Sequence, residues 1–259
     1  MTPPRVLVPD RALRPGGAVV PPADVLHHLR SVLRLKAGEE VTVVDGDGVA
    51  WSTVLSAGEG KPFLEVCRPS DADRAVRESA CWVLVMGLLK GDRTDWAVQK
   101  ATEAGVAAVL LAVCDRSVPR PAGPDIGRRA DRARKVAAEA ARQAGRAAPP
   151  RVDLFGSIDL AVESLPGLVA AGIDADLPRF VLDEAPGTRS LATLLATGAP
   201  GPAGAVLAVG PEGSFAARER ALLASASFVP AGLGPRVLRA ETAAVAAVIV
   251  AQAVAGDMR

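Results

Sequence analysis

Two hydrophobic rhythms divide this chain. Over residues 1 to about 70, short apolar and β-branched runs, RVLVP, EEVTVVDGDG, AWSTVLSAG and PFLEVCRP, alternate with Gly, Pro and Asp turns. One helical stretch, DVLHHLRSVLRL, interrupts them, and the pattern predicts a small β-barrel. From about residue 79 the order becomes strand, helix, strand in ACWVLVMGLL, DRTDWAVQKATEAG and VAAVLLAVC, which implies parallel pairing. RFVLD, SLATLLAT, GAVLAVG, SFAARERALLA, ASFVPAGLG and RAETAAVAAVIVAQAV continue the alternation, so an α/β fold with helices over a mainly parallel sheet is expected. The polar segment PSDADRAVRES separates the two rhythms and sets the expected domains at 1–70 and 75–259.

Composition narrows the partners rather than the fold. The 259 residues, 49% hydrophobic, suffice for one large core or two modest ones. Thirty Lys and Arg stand against 29 Asp and Glu, so a nucleic acid must be held by a local patch and not by global charge. Cys67, Cys81 and Cys114 are too far apart for a CxxC site, and their odd number fits a reducing, cytoplasmic location. MTPPRVLVPD lacks a charged segment followed by an apolar core, and TAAVAAVIVAQAVAG is too short and alanine-rich to span a bilayer. His27 and His28 are the only histidines; adjacent helical residues point roughly 100° apart, so no shared metal is expected and one of them packs or binds phosphate. GEGKP has Pro where a P-loop needs Ser or Thr, GDG does not extend to GxGxxG, and neither GxSxG nor HExxH occurs.

Two junctions carry the candidate chemistry. An apolar strand breaks into VGPEGSFAARE, Val209 to Glu219, and a second Gly-Pro turn opens GLGPRVLRAETAA, Gly232 to Ala244. Both fall where a strand of an α/β sheet gives way to a helix, the end at which such sheets bind ligands through free backbone N–H groups. Glycine permits close approach and proline stiffens the turn. The plainer alternative is two ordinary turns, with Glu212 an acidic group near a helix N-terminus.

A third feature is a basic stripe. In IGRRADRARKVAAEAARQAGR, Arg128, Arg132, Lys135, Glu139, Arg142 and Arg146 follow spacings of 4, 3, 4, 3 and 4, one helix face, while Ile126, Ala130, Ala133, Ala137, Ala140 and Ala144 form a face expected to be buried. The stripe is either a solvated face or a track for phosphates, and Arg30, Arg34 and Lys36 add charge on the N-terminal helix. With three Trp, five Phe and no Tyr, extensive base stacking is not expected.

Taken in order from about residue 5 to 255, HHLRSVLRLKAGEEVTVVDGDG, KGDRTDWAVQKATEAGV, AAEAARQAGR, GPEGS and GLGPRVLRAETAA resemble the RsmE family, SPOUT-superfamily methyltransferases that modify a uridine of 16S ribosomal RNA. The resemblance implies a small PUA-like β-barrel for RNA, then a C-terminal SPOUT methyltransferase domain with a trefoil knot, a rare exception to ordinary chain connections that periodicity cannot reveal. It also implies a homodimer with S-adenosyl-L-methionine bound in the knot, acting on 16S rRNA or the assembled small ribosomal subunit, without membrane or metal. Carried over motif by motif, the cofactor walls are Gly210, Glu212 and Gly213; Leu233, Gly234, Leu238 and Arg239; and Leu182 with Asp183 at the end of RFVLD. The implied RNA contacts are His28, Arg30, Arg34, Arg128, Arg132, Lys135, Arg142 and Arg146. Three positions depart from the family pattern: Ser214 for Gly, Ala240 for Thr, and Arg142 for Glu.

A sulfonium methyl is already activated, so alignment is most of what such an enzyme supplies. Uracil N3 carries an imide proton that must leave. A guanidinium cannot take it, but Arg236 and Arg239 suit a phosphate or the developing uracil oxyanion, and Glu212 or Glu241 is either the base or a cap. The expected catalytic set is therefore Arg236, Arg239 and Glu241. The competing reading is a non-catalytic RNA-binding protein with a vestigial pocket, against which the intact Gly210-Pro211-Glu212-Gly213 and Leu233-Gly234-Pro235-Arg236-Val237-Leu238 count.

Overall fold

The structure, a computed structural model, describes residues 3–8, 13–45, 50–57, 62–69, 81–146, 148–171, 173, 176–197 and 204–255. The chain forms two compact units, Met1–Arg77 with Ala144–Ala148 and Glu78–Gln143 with Pro149–Arg259. Residues 70–79 of the expected boundary segment lie outside the described residues.

In the first unit, β1 (Arg5–Leu7), β2 (Ala18–Val19), β3 (Glu40–Val44), β4 (Ala50–Ala57) and β5 (Pro62–Pro69) make one sheet in the order β1-β3-β4-β5-β2. β1 pairs with β3 in parallel and the other pairs are antiparallel. Val41, Val43, Trp51, Leu55, Leu64 and Val66 alternate inward to form its core. Trp51 Nε1 donates to Asp45 Oδ2 at 2.8 Å, which gives the one polar atom of that indole a buried partner. The expected single helix is α1 (Ala23–His27) followed by a π-helical turn, His28–Val32. That turn buries Leu29, while His27 and His28 are both exposed, so neither histidine packs in the core.

The second unit contains a six-stranded sheet in the order β11-β9-β10-β6-β7-β8, parallel throughout. Its strands are β6 (Cys81–Gly87), β7 (Ala108–Ala112), β8 (Arg151–Phe155), β9 (Arg179–Leu182), β10 (Gly204–Val209) and β11 (Phe228–Ala231). β6, β7 and β10 are apolar along nearly their whole length because both faces are covered. Trp82, Leu84 and Met86 enter a core with α2 (Arg93–Glu103), α3 (Pro124–Gln143), α5 (Leu191–Ala196) and α7 (Ala240–Ala255). Val83 and Val85 enter the opposite core with α4 (Ile158–Glu163) and α6 (Ala217–Ser225). The alternation read from the sequence is therefore present, with β2, β8 and α4 as elements it did not reveal. Cys114 is buried beneath this sheet, where burial first and the neighbouring Glu219 carboxylate second push its thiol far above the usual range.

Helix α7 is fastened at its far end. Gln252 Oε1 accepts from Trp82 Nε1 at 2.8 Å, and its Nε2 donates to the Ala104 carbonyl at 3.0 Å. Gly105 has φ +89°, and a Cβ there would lie 2.4 Å from Gln252 Nε2, so this turn requires glycine both for its backbone and for its space.

Candidate functional site

Three segments converge at the carboxyl ends of β9, β10 and β11. The strand β9 ends in Leu182 and Asp183, β10 runs into Gly210-Pro211-Glu212-Gly213-Ser214, and β11 leads through residues 232–239 into α7. Together they enclose a cavity of about 500 Å³, a volume typical of cofactor sites. Leu182, Val209, Leu233, Leu238, Ala240 and Ala243 supply its apolar wall. Asp183, Glu184, Glu212, Arg93, Arg236 and Arg239 supply its charged rim.

Local packing explains the shape of the β10 turn. A Cβ on Gly210 would lie 2.8 Å from the Phe215 amide nitrogen, and one on Gly87, at the end of β6, would lie 2.7 Å from Pro211 Cδ. Both glycines let the turn fold close against its neighbours. The Ser214 amide donates to the Pro211 carbonyl at 2.7 Å and closes the turn. Ser214 itself has φ +59°, a left-handed conformation that favours glycine. Its hydroxyl accepts from Arg220 Nη2 at 3.0 Å, and the same arginine reaches the Phe215 carbonyl. The backbone at Ser214 is thus the one a glycine would adopt, with one hydroxyl hydrogen bond, to Arg220, that glycine lacks.

Glu212 is tied to the loop after β6, its Oε1 accepting from the Lys90 amide at 2.9 Å. Arg93, the first residue of α2, brings Nη1 to 3.5 Å from Glu212 Oε1 and Nε to 3.7 Å from Glu241 Oε1. Glu241 lies in the first turn of α7, where the helix dipole favours an anion. It is 9% exposed and its Oε2 has no hydrogen-bond partner among the described residues. Arg236 and Arg239 are exposed and make no ion pair with any described residue.

Residues 77–252 match the RNA methyltransferase domain family and residues 21–67 the RNA methyltransferase PUA domain family. Ribosomal RNA small subunit methyltransferase E of Mycobacterium bovis is 35% identical over 233 residues, covering 90% of this chain and 85% of that one. The chain belongs to the ribosomal RNA small subunit methyltransferase E family. The Bacillus subtilis member is 29% identical over 84% of this chain and 83% of its own. A crystal structure of the Neisseria gonorrhoeae methyltransferase E bound to S-adenosylmethionine superposes with a TM-score of 0.78 at 26% identity, covering 97% of this chain and 98% of that one.

Within this methyltransferase E chain, the residues expected at the cofactor divide. Leu182, Asp183, Gly210, Glu212, Leu233, Gly234, Leu238 and Arg239 all line the cavity, as does Arg236. Gly213 does not: the Cβ it lacks would meet Arg116 Cβ at 3.0 Å, and its carbonyl accepts from Arg116 Nη1. Its glycine serves the outer face of the turn. Glu241 also lies off the cavity lining, because the first turn of α7 presents Ala240 and Ala243 there and turns the carboxylate towards Arg93.

The basic stripe is more compromised than its spacing suggests. Arg128 pairs with Asp125 and Arg142 with Glu139, while Arg132 reaches Asp95 at 2.5 Å and Asp92 at 3.3 Å. Lys135 is exposed and has no such partner among the described residues. Helix α3 ends at Gln143, so Arg146 does not share its face, and at 8% exposure it is buried. A buried guanidinium is no phosphate contact, and Arg146 leaves the set. Ala130, Ala133, Ala137 and Ala140 are buried and Ile126 packs against them, but Ala144 lies beyond the helix and is exposed. In the first unit His28, Arg30 and Arg34 are exposed, Arg34 with φ +55°. Among the described residues no group of three His, Cys, Asp or Glu suits a metal, and no helix is long and apolar enough to cross a membrane.

Sequence reasoning missed Arg93 and Gly87 at this site. Arg93 stood inside a recognised motif, KGDR, but it lies 119 positions before Glu212, and nothing local indicates that the two meet.

Proposed function

We propose that this protein transfers the methyl group of S-adenosyl-L-methionine to N3 of a uridine in 16S ribosomal RNA. The observation that carries the reading is the cavity at three adjacent strand ends, in a chain that aligns over 97% of its length with a relative crystallised with S-adenosylmethionine.

The residues suit that cofactor. Gly210 and Gly87 keep a tight cradle open, Leu182, Leu233 and Leu238 offer apolar surface to a purine, and Asp183 and Glu212 place carboxylates where a cation binds. S-adenosylmethionine supplies an electrophilic methyl group that needs no further activation. What remains for this chain is to orient the acceptor, exclude water and stabilise the anion left when the uracil imide loses its proton. Arg236 and Arg239, exposed at the cavity and free of described carboxylates, are suited to that anion or to a flanking phosphate. Glu241 supports the site from behind the lining. The formed cavity favours an enzyme over the competing RNA-binding module.

The same reading extends to architecture and partners. The five-stranded sheet of the first unit would close as a PUA-like barrel for RNA, with His28, Arg30 and Arg34 towards phosphates. Within the second unit, Arg128, Arg132, Lys135 and Arg142 would meet phosphates as well, since exposed ion pairs contribute only about 0–1 kcal/mol and can exchange carboxylate for phosphate. A trefoil knot would form where residues 232–239 pass the segment before α5. It is supported by the amide of Leu191 donating to the Gly232 carbonyl and that of Gly232 to the Arg189 carbonyl, both at 2.9 Å. The protein would act as a cytoplasmic homodimer on naked 16S rRNA or on the assembled small subunit. Mass mapping of 16S rRNA nucleosides, from cells with and without the gene and after incubation with purified protein and cofactor, tests the activity. Appearance of N3-methyluridine only with the protein is the expected result, and unmodified uridine in both samples overturns it.

A further inference from the structure

Arg93 is the one arginine of the cavity rim that is held from two sides. It opens α2, it is half-exposed, and its guanidinium approaches Glu212 from the β10 turn and Glu241 from α7 at 3.5 and 3.7 Å. Those separations give charge attraction without using up the guanidinium's N–H donors, of which it has five in a fixed planar fork. Glu212 has a second partner in the Lys90 amide, whereas Glu241 is buried and, among the described residues, its Oε2 has no hydrogen-bond partner and Arg93 is the cation that offsets its charge. Two carboxylates from distant segments therefore orient one cavity-lining guanidinium. The β10 turn itself is closed by the Ser214–Pro211 hydrogen bond.

We propose that Arg93 contacts the substrate, donating to an anionic oxygen of the acceptor nucleotide, and that Glu212 and Glu241 are the positioning residues that aim it. The inference rests on the methyltransferase reading above. The anionic oxygen is either a backbone phosphate, present before reaction, or the uracil oxygen that gains charge as the imide proton leaves. A phosphate contact strengthens binding and acts through KM, while a contact made only in the transition state acts through kcat.

The test is steady-state methylation of an rRNA fragment by the full-length wild type, Arg93→Ala, Arg93→Lys, Glu241→Gln and the double variant Arg93→Ala/Glu241→Gln, with S-adenosylmethionine saturating. Arg93→Ala is expected to lower kcat/KM about 10²-fold, the scale of losing one oriented donor, with cofactor affinity and thermal melting little changed. Loss in KM identifies the phosphate, and loss in kcat identifies the uracil oxygen. Arg93→Lys, which keeps the charge but not the fork, should recover part of either. Glu241→Gln should lose activity on the wild-type background and almost none on Arg93→Ala, the coupling expected if it acts through the arginine. Wild-type turnover with Arg93→Ala within about threefold, or with additive losses in the double variant, overturns the inference while leaving the methyltransferase reading intact. A wild type that binds cofactor yet methylates no rRNA overturns both.

Discussion

Gly210 and Gly213 stand three residues apart in one turn, yet a methyl group would do different things at each. On Gly210 it would collide with the backbone of Phe215 and Ser214, which cannot yield without moving the cavity wall. On Gly213 it would lie 3.0 Å from Arg116 Cβ, a contact that a movement of a few tenths of an ångström relieves without displacing a cavity-lining residue. Gly210→Ala should therefore destabilise the protein by about 1–3 kcal/mol and weaken S-adenosylmethionine binding at least tenfold by calorimetry. Gly213→Ala should keep affinity within about threefold, less than 1 kcal/mol. Comparable losses at both positions would place Gly213 in the pocket wall after all. Gly234 is a third case: its φ of +110° strains any other residue, although nothing lies within 4 Å of the added atom. At this scale the sequence marks where glycine occurs, and only the neighbours reveal what each one makes room for.

Helix α3 separates periodicity from use. Its alanine face is buried as spacing requires, so removing charge from the other face should leave the helix standing. In the triple variant Arg128→Ala, Arg132→Ala, Lys135→Ala, the lost pairs with Asp125, Asp95 and Asp92 are all exposed, and each should matter by no more than about 1 kcal/mol. If the stripe meets RNA, log affinity against log salt should flatten by about 0.7–0.9 per contact removed. Filter binding with an unchanged slope and affinity would make α3 a solvated face. Helix α7 presents the opposite situation, a polar side chain that packing demands. Replacing Gln252 with Leu would strand the Trp82 indole N–H and the Ala104 carbonyl, which Gln252 now satisfies. Urea unfolding should show a loss of about 1–3 kcal/mol. A neutral Gln252→Leu would mean that water replaces both bonds.

For the whole molecule, the cavity belongs to the second unit alone, so ligand should stabilise that unit by mass action. At a hundredfold excess over Kd, S-adenosylmethionine should add about 2.7 kcal/mol and raise its melting temperature by roughly 5–11 °C in calorimetry, at 2–4 °C per kcal/mol. A melt indifferent to cofactor would count against the cavity as its site. The strand and helix alternation and the glycine-rich junctions at strand ends were legible in the sequence. They are local, set by side-chain period and by the few residues that tolerate tight turns. The short β2, and β8 with α4, were not read from it. What only the tertiary structure decided is which distant groups share a space. It turned Gly213 to the outside, ended α3 before Arg146 and drew Arg93 to Glu212 and Glu241 from segments far along the chain. Charge and packing at those points depend on strand order across the sheet, and no local pattern of residues encodes that order.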